Sequence, residues 1–595
     1  MRPPISKTIV LLSIWLAPQG YQAHLIHAYS LSAARSYQKI HETSLPNPEH
    51  IFRTLVSAGR QFPSSLNHNG VSYFLATVPA GTRLYHGRGG KQPVESGFEW
   101  LAFEPEHASN FAIRVCELPD QSHSDSRAKG PEHLISSDGS AKWWLSPEQL
   151  FAYASSATQQ GFPDGCICPP DSRHGPYLRL PHNDDPRPRD QQSILAPPPK
   201  GPPRLPKHFC IDSGYLHRYS PISDLHLLYI DGMSAAKCDL GTLASQDDVL
   251  LRNSSYRPGP PDPMRGEVSR ATGLCDLAQT EWNGKIDGFV RMEHGFEIIL
   301  CDFAKVQFES AVSKSRSVTG GTAHVGGVFQ FLKAIGEDRW WGIGRDRLGV
   351  WTDRWVTAYS EPDLDLFGKS IDGKLPDLSG VTDEIAYRLN EQVKDLVMSR
   401  VATEDSALSS GDATDWQAVA DLYVARYANR LQYLMSFDDA KELRSAAEDM
   451  YMVYLDDDAD TLRGSDGAID RCINGFIPPH LTQSPQDAGP MSHEAISAVA
   501  KQICTTLHDI VAQPSLADDL QGQKEHLHAL MDYLRWPQWS FCGDKRACEI
   551  DELCFVAIWP WGSKEDHDSP SCRNQTDAMQ HMMKMGSYWN PVRQE

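Results

Sequence analysis

The chain has 595 residues, 40% of them hydrophobic, and 77 Asp and Glu against 56 Lys and Arg give a formal net charge of −21. That is enough apolar material for roughly two to four domains of ordinary size, and it excludes a wholly disordered or collagen-like chain. The negative field repels phosphate backbones, so no nucleic-acid partner is expected. No apolar run of about 18 residues follows the N-terminus, so no transmembrane span is expected after signal removal.

The chain opens with Arg2 and Lys7, followed by the apolar stretch Thr8–Ala17. That stretch is too short to cross about 30 Å of hydrocarbon, but it has the length of a secretory h-region. Gly20, Ala23 and Ala28 supply small residues for cleavage, so residues 1–23 read as a signal peptide and the protein as secreted. Residues 31–60 carry helical apolar spacing broken by Pro46 and Pro48. Val71–Val78, Arg83–Gly87 and Trp100–Phe103 read as strands, and Pro105 opens a helix at its first turn.

Between 163 and 207 the composition turns Pro-rich, with Cys168-Pro-Pro and Ala196-Pro-Pro-Pro. Such sequence buries little and favours extended segments, so it reads as an insertion. Leu225–Met233 reads as a buried strand entering a turn, Glu267–Trp282 as a helix, and Phe296–Phe303 as a strong strand. Beyond about residue 375 the spacing becomes helical over Val381–Ala402, Asp412–Leu455, Ser492–Val511 and Leu516–Leu534. The fold class expected is therefore α+β. A mixed α/β half occupies 31–375, a helical half 376–535, and a Cys/Trp-rich tail 536–595.

The tail holds Cys542, Cys548, Cys554 and Cys572 among Trp536, Trp539, Trp559 and Trp561. Five-residue gaps do not match the usual zinc pairs, so disulfides are expected and no metal site. The total of 13 Cys is odd, which leaves at least one thiol outside the intramolecular bridges. The sequons at Asn253 and Asn574 are compatible with glycosylation. The acidic run from Asp456 lacks the Gly and Glu of an EF-hand loop and reads as solvated. His526 and His528 lie two apart on a helix and read as surface residues.

Phosphate-loop, zinc-protease, nucleophile-elbow and dinucleotide fingerprints are absent. Three separated segments stand out: Arg83-Leu-Tyr-His86-Gly87, Trp100–Ala112 and Glu297–Val306. In that order they resemble strands of the ADP-ribosyltransferase superfamily, in its poly(ADP-ribose) polymerase and diphtheria-toxin-like branch. The resemblance implies an NAD site between 83 and 306. His86 would position the nicotinamide ribose, Gly87 would open the backbone to the carboxamide, and Trp100 or Phe103 would stack on the ring. Glu297 would be the catalytic carboxylate, stabilising oxocarbenium charge and orienting the attacking hydroxyl. The Tyr that completes the family's His-Tyr-Glu set has no counterpart; Arg88, Gly89, Gly90 and Lys91 occupy that interval. A degenerate NAD site is thus one implication. The alternative, with no cofactor, is a non-catalytic secreted or surface glycoprotein that binds a protein or small-molecule partner. Its Trp-rich surfaces, including Trp340, Trp341, Trp351 and Trp355, would supply the binding face. The segments Glu99–Phe103 and Asp287–Glu293 also resemble uncharacterised secreted fungal proteins.

Overall fold

The computed structural model describes residues 45–117, 209–313 and 332–589, apart from residues 239 and 345 and the stretches 257–265, 335–341, 369–373, 401–413, 457–465, 479–489, 543–547 and 583–587. The signal segment, the Pro-rich insertion, Trp340, Trp341 and most of the acidic run from Asp456 lie outside the described residues. The fold is mixed α+β, as expected, and divides into a sheet unit and a helical unit. No described helix is long and apolar enough to cross a membrane.

In the sheet unit, α1 (Pro48–Ser57) and α2 (Gln61–Leu66) precede a nine-stranded sheet. Its strands along the chain are β1 (Ser72–Val78), β2 (Leu84–Arg88) and β3 (Glu99–Ala102), then β6 (Tyr215–Pro221), β7 (Leu225–Ile230), β8 (Gly288–Met292), β9 (Phe296–Leu300), β10 (Val306–Ser313) and β11 (Gly349–Thr357). A separate pair, β4 (Ile113–Glu117) and β5 (Phe209–Ser213), joins antiparallel. The lateral order is β10-β6-β2-β3-β9-β8-β7-β1-β11. Among the described strands only β7 and β8 run parallel, and a parallel pair needs a crossover connection. That connection carries a π-helical turn (Ser245–Leu250) and α4 (Glu267–Thr280), while α3 (Pro105–Ser109) follows β3.

Strands β1, β8 and β9 are buried along their whole lengths, so both faces of the sheet are covered there. One face carries a row of rings: Trp355 lies 4.5 Å from Phe74, Phe74 5.8 Å from Tyr229, and Tyr229 6.2 Å from Phe296, between ring centroids. The opposite face meets α4 and the π-helical turn, where Tyr73 donates to Ser245 O at 2.7 Å.

The helical half begins later than its sequence pattern implies. α5 (Asp383–Met398) packs on β11, and together with the first part of α6 (Trp416–Leu434) it belongs to the sheet unit. The periodic run after Asp412 is also broken. The Asp439 carboxylate accepts from Lys441 N and Glu442 N and so starts a new helix, α7 (Ala440–Tyr451). The helical unit then comprises Asn429–Gly489 and His493–Arg535. Within it, α8 (Asp466–Ile473) and α9 (Met491–Ala512) are joined by the Cys472–Cys504 disulfide, and α10 (Leu520–Leu534) ends the unit.

The tail returns to the sheet unit and is not a separate module. A hairpin of β12 (Glu552–Phe555) and β13 (Ser571–Asn574) is closed by Cys542–Cys554 and Cys548–Cys572. These cysteines pack with Phe62, Leu66, Phe541 and Val556. Among the described residues, most of the tryptophans expected to supply a binding face lie in the core instead, and Trp539 is half-buried. Trp351, Trp355, Trp536, Trp559, Trp561 and Trp589 are all buried. The indole of Trp355 donates to Ser492 Oγ at 2.9 Å, and that of Trp589 to Trp561 O at 2.9 Å. An indole N–H with an internal acceptor can go inside at little polar cost, as Trp355 and Trp589 do.

Candidate functional site

The register across β2, β3 and β9 decides whether the residues of the transferase resemblance meet. Tyr85 pairs with Ala102, and Ala102 pairs with Glu297, so these three side chains share one face. His86 follows Tyr85 on a strand without a bulge, pairs with His217, and therefore projects from the opposite face. The Phe303 ring lies 5.9 Å from His86 and 5.1 Å from Tyr219, consistent with that parity. His86 and Glu297 thus sit two strands apart on opposite sides of the sheet and share no cleft.

The remaining residues of that set have structural neighbours. A Cβ on Gly87 would lie 2.0 Å from Ala108 O, so the glycine admits the end of α3. Phe103 is buried, with the Arg347 guanidinium 5.7 Å from its ring centroid. Half-buried Trp100 shares the Glu297 face by register and makes an edge contact with Phe98 at 5.6 Å.

Glu297 sits in a buried ion network. Arg291, its register partner on β8, donates to Glu297 Oε1 at 2.5 Å and to Gln246 Oε1 at 2.9 Å, and also bonds Glu267. Arg270 on α4 grips Asp247 through two bonds, at 2.7 and 2.8 Å, and reaches Glu267 Oε2 at 2.7 Å. Burial raises the Glu297 pKa, against the pull of Arg291 and Lys237. Burial also opposes the charge of Glu267, yet Arg291, Lys237 and Arg270 bring it down to about 2. This network bonds β8 and β9 to α4 and the π-helical turn. It is a packing device, and its Arg270 and Arg291 side chains are fully buried.

A second cluster adjoins it at the β8–β9 turn. Glu293 and His294 form that turn, and His107 comes from α3. Glu293 Oε1 lies 3.3 Å from His294 Nδ1 and 3.5 Å from His107 Nε2, with all three residues buried. Glu293 Oε2 accepts from Lys237 Nζ at 2.5 Å. Burial opposes the Glu293 charge, but Lys237 and the imidazoles outweigh it and hold the carboxyl well below its usual range. Burial also takes His294 down to about 3. No sequence motif marks this set, because His107 lies 186 positions from Glu293. The tail sulfurs of Cys542, Cys548 and Cys572 also converge, but they are engaged in disulfides.

A small polar recess, with a cavity volume of about 20 Å³, lies at the end of β7 against α1 and α2. His50, Arg53, Asn67, Asn69, Asp231 and Tyr359 are among its lining residues. Burial pushes the Asp231 carboxyl up to about 7, although it accepts from Ser72 N at 2.7 Å. Its lining is polar where sequence reading sought aromatic surfaces, and the only sequence sign was the Asp-Gly after the β7 strand.

His86 makes a separate prediction. Its Nδ1–H donates to Trp100 O at 2.8 Å, and burial lowers the pKa to about 4. An unfolded imidazole takes a proton near 6.5, whereas the folded one refuses it until about 4. The contribution is therefore complete above about pH 6.5 and is lost as pH falls toward 4, about 3 kcal/mol at most. His86→Asn keeps a donor for Trp100 O. It should flatten the pH dependence of the urea midpoint over this window by about one proton. Parallel profiles for variant and wild type would show that His86 does not titrate this way.

A family model described as the YPL277C N-terminal domain matches residues 32–147 and 215–321. The gap between those segments brackets the Pro-rich stretch. Two curated Saccharomyces cerevisiae (strain ATCC 204508 / S288c) proteins are similar to the chain. The uncharacterized protein YOR389W is 28% identical over 277 residues, covering 45% of this chain and 33% of its own length. The uncharacterized protein YPL277C is 28% identical over 275 residues, covering 45% of this chain and 43% of its own length. The match thus spans less than half of either relative. No solved structure matches the chain. The similarity to the YPL277C N-terminal domain therefore falls on β1–β3, β6–β10 and the helices between them, where both buried ionic clusters lie.

Proposed function

We propose that the protein is a secreted, disulfide-stapled binding protein without NAD chemistry, and that its ligand presents a carboxylate group to the mouth of the recess at the end of β7. The observation that carries this reading is the convergence of Arg53 and Asp231 on one polar recess. Arg53 Nη2 bonds the His50 ring, so a ligand carboxylate would share the guanidinium with that imidazole through a charge-assisted hydrogen bond. A carboxyl raised to about 7 can stay protonated below neutrality and donate to the same ligand. The opposite facing of His86 and Glu297 supports the absence of transferase chemistry. The four disulfides among the described residues support export, and the exposed Asn253 is accessible to a glycan.

Calorimetric titration should detect small mono- or dicarboxylates and not their methyl esters. Arg53→Met should weaken that binding at least tenfold, the loss expected when a charge-assisted pair is removed. NAD and nicotinamide should not bind at millimolar concentration. Saturable NAD binding with no response to carboxylates would overturn the reading and restore the transferase alternative.

A further inference from the structure

We propose that His107, Glu293 and His294 form a buried Zn²⁺ site that ties α3 to the β8–β9 turn. The spacing is the first argument. Glu293 Oε1 stands 3.3 Å from His294 Nδ1 and 3.5 Å from His107 Nε2. Charge-assisted N–H···O bonds are shorter, about 2.7–2.9 Å. Zinc with bonds of about 2.0–2.1 Å in tetrahedral geometry sets neighbouring ligand atoms about 3.3–3.5 Å apart. The observed separations are long for hydrogen bonds and match the edges of a zinc tetrahedron.

Donor chemistry is the second argument. Two imidazoles and one carboxylate are a standard three-residue zinc set, with water or another ligand completing the fourth position. One atom from each of the three residues lies within 4.8 Å of the others. Lys237 Nζ bonds Glu293 Oε2 at 2.5 Å, leaving Oε1 directed at the imidazoles. A cation holding the outer oxygen orients a ligating carboxylate as outer-sphere partners do.

The surroundings accept the charge and close the site. Lys237, Arg270 and Arg291 meet the carboxylates of Asp247, Glu267, Glu293 and Glu297 in one connected set, leaving a formal negative charge over. The tail covers His294 with Trp561 at 5.3 Å and Trp559 at 6.4 Å. At Gly295 a Cβ would lie 2.6 Å from His107 Nδ1, so the glycine allows the turn to close on that imidazole. With its donors buried, the site binds metal as part of folding, and the ion acts as a structural staple.

The test uses the full-length oxidised chain, purified without a His-tag. Metal analysis should return one zinc per chain, and removal by a strong chelator should lower the thermal midpoint by several degrees, restored by Zn²⁺. One equivalent of Co²⁺ added to the stripped protein should give the visible bands of tetrahedral cobalt with nitrogen and oxygen donors, and zinc should bleach them. Glu293→Gln and His107→Gln should each abolish that spectrum. Should those variants fail to fold, the wild-type cobalt spectrum decides alone. Absence of stoichiometric metal after refolding with excess Zn²⁺ or Co²⁺ would overturn the proposal. So would a cobalt spectrum dominated by thiolate charge transfer, which would assign the ion to the tail cysteines.

Discussion

Arg291→Met is expected to destabilise the sheet unit by about 3–5 kcal/mol, the usual cost of removing one partner from a buried ion pair. Arg291 is fully buried and bonds Glu297, Glu267 and Gln246. Glu267 would keep Arg270 as a partner. Glu297 would be left on a fully buried strand without the guanidinium at 2.5 Å. Its pKa, already raised by burial, would climb further, so the variant should be least stable at alkaline pH, where the carboxyl must ionise. Adding Glu297→Leu should recover part of the loss, because two apolar groups cost less than one stranded charge. Urea denaturation of wild type, the single variants and the double variant closes the cycle. Additive losses from Arg291→Met and Glu297→Leu would show that the two side chains do not act as a pair.

Replacing Cys275 and Cys301 with Ser should cost about 3–4 kcal/mol by the loop-entropy relation, given their separation of 26 residues. This bridge joins α4 to the residue just past β9, the two elements that also carry Glu267 and Glu297. Its loss should therefore loosen the ion network together with the sheet. Denaturation under oxidising and reducing conditions measures the cost. Mass mapping without reductant should also return Cys472–Cys504 and the two tail bridges. Cys238 should be recovered as a thiol, since it is buried 3.2 Å from Thr242 Oγ1. A stability unchanged by loss of Cys275–Cys301 would mean that the unfolded chain gains little freedom when the bridge is absent.

Much of the local structure was legible without coordinates. The β-branched and aromatic run at Ser72–Val78, the apolar run at Leu225–Ile230 and the helical spacing of α4, α5, α9 and α10 reflect short-range preferences that neighbouring residues carry. The crowding of Cys and Trp after residue 536 announced a disulfide-stapled tail, and the bridges formed there. Other elements carried weaker signals. β8 reads Gly-Phe-Val-Arg-Met, and its Arg suggests an exposed position until Glu267 and Glu297 are brought in from elsewhere to satisfy it.

Facing was the property that sequence could not carry. His86 and Glu297 each stand on a strand that was foreseen, yet they project from opposite sides because Tyr85, not His86, shares a register row with Ala102 and Glu297. Strand side chains alternate with a period of two, so a register different by one residue would have put His86 on the Glu297 face. That register is fixed by the local β2–β3 pairing and by hydrogen bonds between β3 and β9, more than 190 residues apart along the chain, together with the packing of α3 against Gly87. The His107, Glu293 and His294 cluster has the same origin. Composition and short-range patterning determined which segments became helices, strands and bridges. The pairing of distant strands decided which charges were buried together and which side chains could meet.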